Sequence, residues 1–267
     1  MTDDFAKYLR KQNLSDSTVK SYLYAVRQFD TQHGAPTKKN LREHREWLIQ
    51  SYRPRTVNLR LRAVNCYLES IGKEKWKLKF IRVQQKPFAE NVISEADYAH
   101  LKNSLKRDGE WAWYFIVRFF AATGARVNEL TKIKVEDVKL GHMELYSKGG
   151  KVRRIYIPKC LQEETLSWLG GKHQDSGFLF LNKYGAPISP RGISGQLKKF
   201  AARYNIDPDV VYPHSFRHRF AKSFMERSSN IAFLADLMGH ENIETTRVYL
   251  RKTGAEQKEL VDRTVDW

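Results

Sequence analysis

Apolar residues recur every three to four positions through much of the first third of the chain, the period of a helix with one buried face. In STVKSYLYAVRQFDTQHG, Val19, Tyr22, Leu23, Val26 and Phe29 form such a stripe, a Ser/Asp/Ser cluster precedes it, and Gly34 follows where a glycine cap belongs. LREHREWLIQSY carries a second helix that stops at Arg53-Pro54, since proline disfavours the helical region for the residue before it. A third, TVNLRLRAVNCYLESIG, sets Val57, Leu61, Val64, Leu68 and Ile71 along one face ahead of Gly72. Residues 1–83 therefore read as an all-helical bundle.

Residues 84–92 lack apolar periodicity and contain Pro87, as a short linker does. From residue 93 to residue 267 the pattern describes a second domain. Ser94-Glu95-Ala96-Asp97 reads as a capping box opening a helix. WAWYFIVRFFAATGAR is apolar nearly all round, which assigns its Trp and Phe residues to a core rather than to a stacking platform. MELYSKGGKVRRIYIP contains two β-type runs joined through Gly149-Gly150, a hairpin signal that puts Lys148 at the tip. Helical patterns dominate from Ser189 to the end. The expected fold is mostly α, a helical N-terminal bundle followed by an α-rich domain with a small antiparallel β-sheet. The tail AEQKELVDRTVDW presents Leu260, Val261, Val265 and Trp267 in an amphipathic pattern, to be covered either by its own domain or by another copy.

Charge adds a partner class. The 267 residues carry 47 Lys and Arg against 30 Asp and Glu, a formal net charge of +17, which points to a polyanion, usually nucleic acid. Residues 1–86 hold nineteen basic and eight acidic side chains, net +11, and the larger remainder only +6. Arg53, Arg55, Arg60 and Arg62 cluster at the start of the third helix, either as a solvated face or as contacts to a phosphate backbone. Cys66 and Cys160 have no CxxC spacing, which argues against a disulfide framework and a thiolate zinc site. No stretch approaches the roughly 20 apolar residues of a membrane span, and the first residues lack a signal-peptide core. A soluble, cytoplasmic protein is expected.

Several polar residues stand where folding alone gives them little reason to be. Arg126 follows the Thr123-Gly124 break at the end of the most apolar helix, His214 and Arg217 open a helix after Pro213, His240 follows Gly239 at a helix end, and Tyr249 comes nine residues later. With Lys148, these residues make an anion site with a nucleophile and proton donors, and there is no carboxylate cluster suited to magnesium. Such a set suits metal-free attack on a phosphodiester.

The motifs ATGARVNEL, SKGGK, HSFRH and LMGHENIETTRVYL, in that order, resemble those of the tyrosine recombinase, or phage integrase, family. The resemblance spans essentially the whole chain, with the basic bundle similar to that family's core-binding domain and residues 93–267 to its catalytic domain. It implies a site-specific recombinase of prokaryotic, phage or mobile-element origin, cutting and rejoining double-stranded DNA at paired inverted half-sites through a 3′-phosphotyrosyl intermediate, without metal, ATP or other cofactor. The two domains would clamp the duplex, and four copies would assemble by exchanging C-terminal tails. No further arm-binding domain is expected ahead of residue 1. By resemblance Arg126 and Arg217 bind the phosphate, Lys148 is the hairpin lysine, His214 and His240 are the active-site histidines, Tyr249 is the nucleophile and Glu129 supports the site. Phe216 and Arg219 fill motif positions more often held by other residues.

These roles make physical sense. A phenol with a pKa of about 10 needs a base, for which His214 is the first choice. Two planar guanidinium forks suit the charge of a pentacoordinate transition state. Lys148 can protonate the departing 5′ oxygen, with Lys151 as competitor, while His240 can hydrogen-bond a phosphate oxygen. His218, four residues after His214, is assigned a structural role rather than a share in a zinc site. The competing readings are a catalytically silent DNA-binding regulator of the same fold, a type IB topoisomerase-like enzyme, and a metal-dependent nuclease.

Overall fold

The computed structural model describes residues 2–83, 91–146, 152–228, 230–240, 242–243, 246, 254–265 and 267. The chain divides into two compact units, residues 1–85 and 86–267.

The first unit contains α1 (Thr2–Lys11), α2 (Asp16–His33), α3 (Lys38–Ser51) and α4 (Pro54–Ser70), followed by a 3-10 turn at Glu74–Trp76. The helices start where local chemistry allows. Ser15 and Thr37 accept from the amides of Thr18 and Asn40, at 3.3 and 3.1 Å, and Pro54 occupies a first-turn position where no amide hydrogen is needed. Gly34 closes α2 at φ +68°, its amide donating to the Asp30 carbonyl at 2.8 Å. Most of the predicted stripe residues are buried: Val19, Tyr22 and Val26 pack with Phe5, Leu9 and Tyr67, while Phe29 packs with Leu41, Val64 and Leu68; Leu23 is only half-buried, and Ile71, past the end of α4, is exposed. α1 was not anticipated; Phe5 and Leu9, four residues apart, supply the face that docks it.

Two asparagines of α4 hold the extended chain that follows. Asn65 Nδ2 donates to the Leu78 carbonyl at 2.9 Å and Asn65 Oδ1 accepts from the Leu78 amide at 2.8 Å; Asn58 does the same with Ile81, at 2.9 Å both ways. The side-chain amides thus replace a neighbouring strand.

In the second unit, α5 (Glu95–Arg107), α6 (Trp111–Thr123) and a later helix, Pro213–Ser228, form the central packing. Ser94 caps α5 by accepting from the Asp97 amide at 3.0 Å. Phe115, Phe119 and Phe120 of α6 are fully buried in the core, as expected, but Trp111 lies 40% exposed on the flank and Trp113 packs half-buried against Phe200. The helix is apolar on a wider arc than its neighbours cover. Short helices α7 (Val127–Leu130) and α8 (Val135–Leu140) lead to the antiparallel pair β1 (His142–Tyr146) and β2 (Val152–Tyr156), in register from His142 opposite Tyr156 to Tyr146 opposite Val152. Then come α9 (Lys159–Gly170), α10 (Pro190–Arg203), α11 (Pro213–Ser228), α12 (Ile231–Met238) and α13 (Gly254–Thr264). The mostly helical architecture with a small antiparallel sheet is the expected one.

Candidate active site

The site is built where helices end. α6 terminates at Gly124 in the left-handed region, φ +61°, and a Cβ there would lie 2.4 Å from Cδ1 of the Phe220 ring, so glycine satisfies both the turn and the close packing. α12 terminates likewise at Gly239, φ +60°. Helix C-termini present carbonyls without intrahelical partners and a partial negative charge, and both attract cations.

Arg217, on the first turns of α11, takes advantage of both ends. It is 1% exposed, yet its Nη1 donates to the Gly124 carbonyl and its Nη2 to the Met238 carbonyl, each at 2.5 Å. Burying a guanidinium is tolerable only with such partners. Its Nη2 also donates to His240 Nε2 at 3.0 Å. Since a guanidinium only donates, Nε2 is the acceptor, and the ring proton sits on Nδ1, which donates to Thr246 Oγ1 at 2.8 Å. Burial, with Arg217, Arg126 and Arg153 nearby, pushes the His240 pKa down to about 4, so the ring is neutral at pH 7.

Arg126 caps α7. Its amide donates to Glu129 Oε2 at 2.7 Å, its Nη1 to Oε1 at 2.9 Å, and its Nη2 to the Gly239 carbonyl at 3.2 Å. Glu129 therefore orients Arg126 as a salt-bridge partner. Burial pushes the Glu129 carboxyl up, but Arg153 and the bonds from Arg126 outweigh it and hold the carboxyl below its usual value. His214, the exposed residue of the otherwise buried first turn of α11, is lowered by partial desolvation and by the charges of Arg217 and Arg126. A lowered pKa leaves a neutral imidazole able to accept a proton at pH 7.

The structure thus brings Arg126, Glu129, Arg217 and His240 together, with His214 in the electrostatic reach of both arginines. Lys148 and Tyr249, and the competitor Lys151, lie outside the described residues. Phe216 is fully buried, stacking on Phe120 at 6.0 Å, while Arg219 pairs with Glu95 and lies 3.8 Å over the Tyr98 ring. Both departures from the motif serve packing. His218 is half-buried, and burial together with His214 and Arg217 pushes it to about 4. Among the described residues no group of three or more His, Cys, Asp or Glu side chains is placed to hold a metal ion.

In the first unit, Arg53, Arg55 and Arg62 are exposed. Arg60 is not. Its Nη1 donates to Gln28 Oε1 at 2.5 Å and its guanidinium lies 4.9 and 4.6 Å from the ring centres of Tyr24 and Tyr52. That side chain is committed to holding α2 and α4 together.

Two residues escaped the sequence reading. Arg153 reaches Glu129 Oε1 at 2.7 Å and the Leu237 carbonyl at 3.0 and 2.8 Å. Its signal was parity, for it shares the inward face of β2 with buried Ile155. Thr246, fully buried against His240, carried no comparable signal.

Fold and geometry define a mostly helical protein with a small sheet, whose helix C-termini gather arginines, a carboxylate and a neutral histidine. The sequence profile of the phage integrase family matches residues 91–256. Tyrosine recombinase XerA of Pyrococcus furiosus is 30% identical over 98% of this chain and 92% of its own length, and that of Pyrococcus horikoshii is 29% identical over the same shares. The crystal structure of XerA recombinase matches the fold with a TM-score of 0.58 at 20% identity, covering 100% of this chain and 98% of that one. The Tn1549 transposon integrase, solved in complex with transposon right end DNA, matches with a TM-score of 0.74 at 17% identity, covering 98% of each chain. The chain belongs to the phage integrase family, the tyrosine recombinases, which are DNA strand-cleaving and rejoining enzymes. Among the described residues no helix is long and apolar enough to cross a membrane.

Proposed function

We propose that this recombinase acts on double-stranded DNA by metal-independent transesterification, with Tyr249 as nucleophile and a 3′-phosphotyrosyl intermediate. The observation that carries the reading is Arg217, a buried guanidinium held between the ends of α6 and α12 and hydrogen-bonded to His240. Arg126 and Arg217 would stabilise the charge that develops on the non-bridging oxygens. His214, lowered below its usual pKa, would take the phenol proton. Lys148, with Lys151 as the alternative, would protonate the departing 5′ oxygen. His240, neutral and accepting from Arg217, orients that arginine; to donate to a phosphate oxygen through Nε2 it would first exchange this contact. The ester conserves the energy of the broken phosphodiester, so religation needs no ATP.

Duplex DNA as partner is supported by the net charge of +17 and by solved structures of the fold that hold DNA. Exposed Arg53, Arg55 and Arg62 would contact phosphates, making affinity steeply salt-dependent. Val261, Val265 and Trp267 of the tail are 55, 44 and 91% exposed, which supports docking on a second copy and, by exchange, a tetramer on DNA. Removing residues 256–267 would then weaken assembly on DNA more than binding to one half-site.

The decisive experiment is covalent trapping in EDTA on a library of nicked duplexes tiled across the source genome. An SDS-resistant adduct that is absent in Tyr249→Phe is the expected result. Specific binding without any adduct would overturn the catalytic reading in favour of a DNA-binding regulator.

A further inference from the structure

The end of α12 engages three different guanidinium groups on three successive carbonyls. Leu237 accepts from Arg153, through Nε at 3.0 Å and Nη2 at 2.8 Å; Met238 accepts from Arg217 at 2.5 Å; Gly239 accepts from Arg126 at 3.2 Å. Two of these arginines are the ones assigned above to the phosphate. The third arrives from β2, and its remaining amino nitrogen, Nη1, reaches Glu129 Oε1, the oxygen that also holds Arg126 Nη1. Arg153 thus has all three guanidinium nitrogens engaged, and its side chain is 13% exposed against 38% for Arg126. The approach depends on glycine at position 239, where a Cβ would lie 2.3 Å from Arg153 Cδ.

We propose that Arg153 is a positioning residue for the anion site: its guanidinium fixes the Glu129 carboxylate and the end of α12, and through these two anchors aims Arg126. The inference rests on the reading of Arg126 and Arg217 as phosphate ligands. Each anchor of Arg126 is one that Arg153 also holds, Glu129 by a shared oxygen and the end of α12 by the carbonyl two residues before Gly239. Lysine at position 153 would keep the charge and lose the fork that spans Leu237 and Glu129.

A group that served packing alone would leave the titration of the site unchanged, whereas Arg153, its Nη1 2.7 Å from Glu129 Oε1, is placed to act on it. The groups facing Glu129 are Arg126 from the start of α7, Arg153 from β2 and His240 beyond α12. Arg153 is the foremost of the influences that hold its carboxyl low against burial. With Arg153 gone, Glu129 protonates at higher pH, Arg126 loses its ionic partner there, and cleavage gains an acid limb.

The test uses the full chain carrying Arg153→Gln or Arg153→Lys, with melting curves to establish that each variant folds. Carbon-13 NMR of the Glu129 carboxyl is expected to show titration at higher pH in R153Q and close to wild type in R153K. On the trapped nicked duplex, adduct formation is expected to fall about 100-fold in R153Q, the cost of a misplaced catalytic group. Duplex affinity, set by many phosphate contacts, should stay within about threefold. R153K should cleave at an intermediate rate. An unchanged Glu129 titration in R153Q, or wild-type adduct rates in R153K, would overturn the proposal; the second criterion stands even if R153Q does not fold. If the wild type forms no adduct, the functional reading falls, while the NMR titration still decides whether Arg153 governs Glu129.

Discussion

Among the described residues, each unit buries one histidine or arginine almost completely, and the two are treated in opposite ways. His44, in α3 of the first unit, is 0% exposed, and neither ring nitrogen has a hydrogen-bond partner among the described residues. It lies edge-on to Phe29 at 5.0 Å and stacks on Trp47 at 5.6 Å, and burial, then His33 and Arg60, pushes its pKa down to about 4. Arg217, 1% exposed, has no neutral state available at ordinary pH, so two helix ends and a histidine are arranged around it. A buried group that can shed its charge is packed as an aromatic; one that cannot must be solvated by the protein itself. The second solution is the one that costs design, and it is found at the candidate site.

The sharpest way to break this comparison is Arg217→Lys. Lysine keeps the charge but cannot span the Gly124 and Met238 carbonyls, so adduct formation should fall about 1000-fold, the scale of removing a transition-state donor. A rate within tenfold of wild type, measured by trapping, would mean that the fork does not matter. Next in size is His44→Phe. Because the folded pKa of His44 lies below its unfolded value, the wild type holds its full stability above about pH 6.5 and loses it as pH falls toward about 4. The loss amounts to roughly 3 kcal/mol. The phenylalanine variant should lack this component, and urea melts of both proteins at pH 7 and pH 4.5 would reveal it as a difference in slope with pH.

Gly124→Ala probes the scaffold under Arg217. A methyl group at φ +61° and in contact with Phe220 should lower stability by about 2 kcal/mol. Thermal unfolding checks this, and a Phe220→Leu background should recover part of the loss by opening space. The smallest effect is expected from Thr246→Val, which removes the acceptor of His240 Nδ1. Cleavage should slow by roughly fivefold, about 1 kcal/mol, with Thr246→Ser close to wild type.

Much of this was legible beforehand for identifiable reasons. The stripes of α2 and α4 are buried along most of their length, so their period could be read directly from the chain. Arg126, Arg217 and His240 fall at breaks marked by Gly124, Pro213 and Gly239, and such punctuation is visible in a sequence. Arg153 was passed over because two arginines in a strand, Arg153 and Arg154, look alike until register assigns them to opposite faces; Arg154 points outward to Glu144 and Arg153 inward to Glu129. Arg60 misled for a related reason. Charge alone placed it with Arg53, Arg55 and Arg62, whereas its cage combines Tyr24 and Gln28 of the distant helix α2 with Tyr52 from the turn before α4.

The paired asparagines of α4 have a consequence in time rather than in strength. Leu78 and Ile81 sit in chain that is neither helix nor strand, where amide protons normally exchange with solvent in moments. Their amides are tied to Asn65 and Asn58, so their exchange must wait for those side chains to release, and the protection of residues 78 and 81 should rise and fall with that of α4 itself.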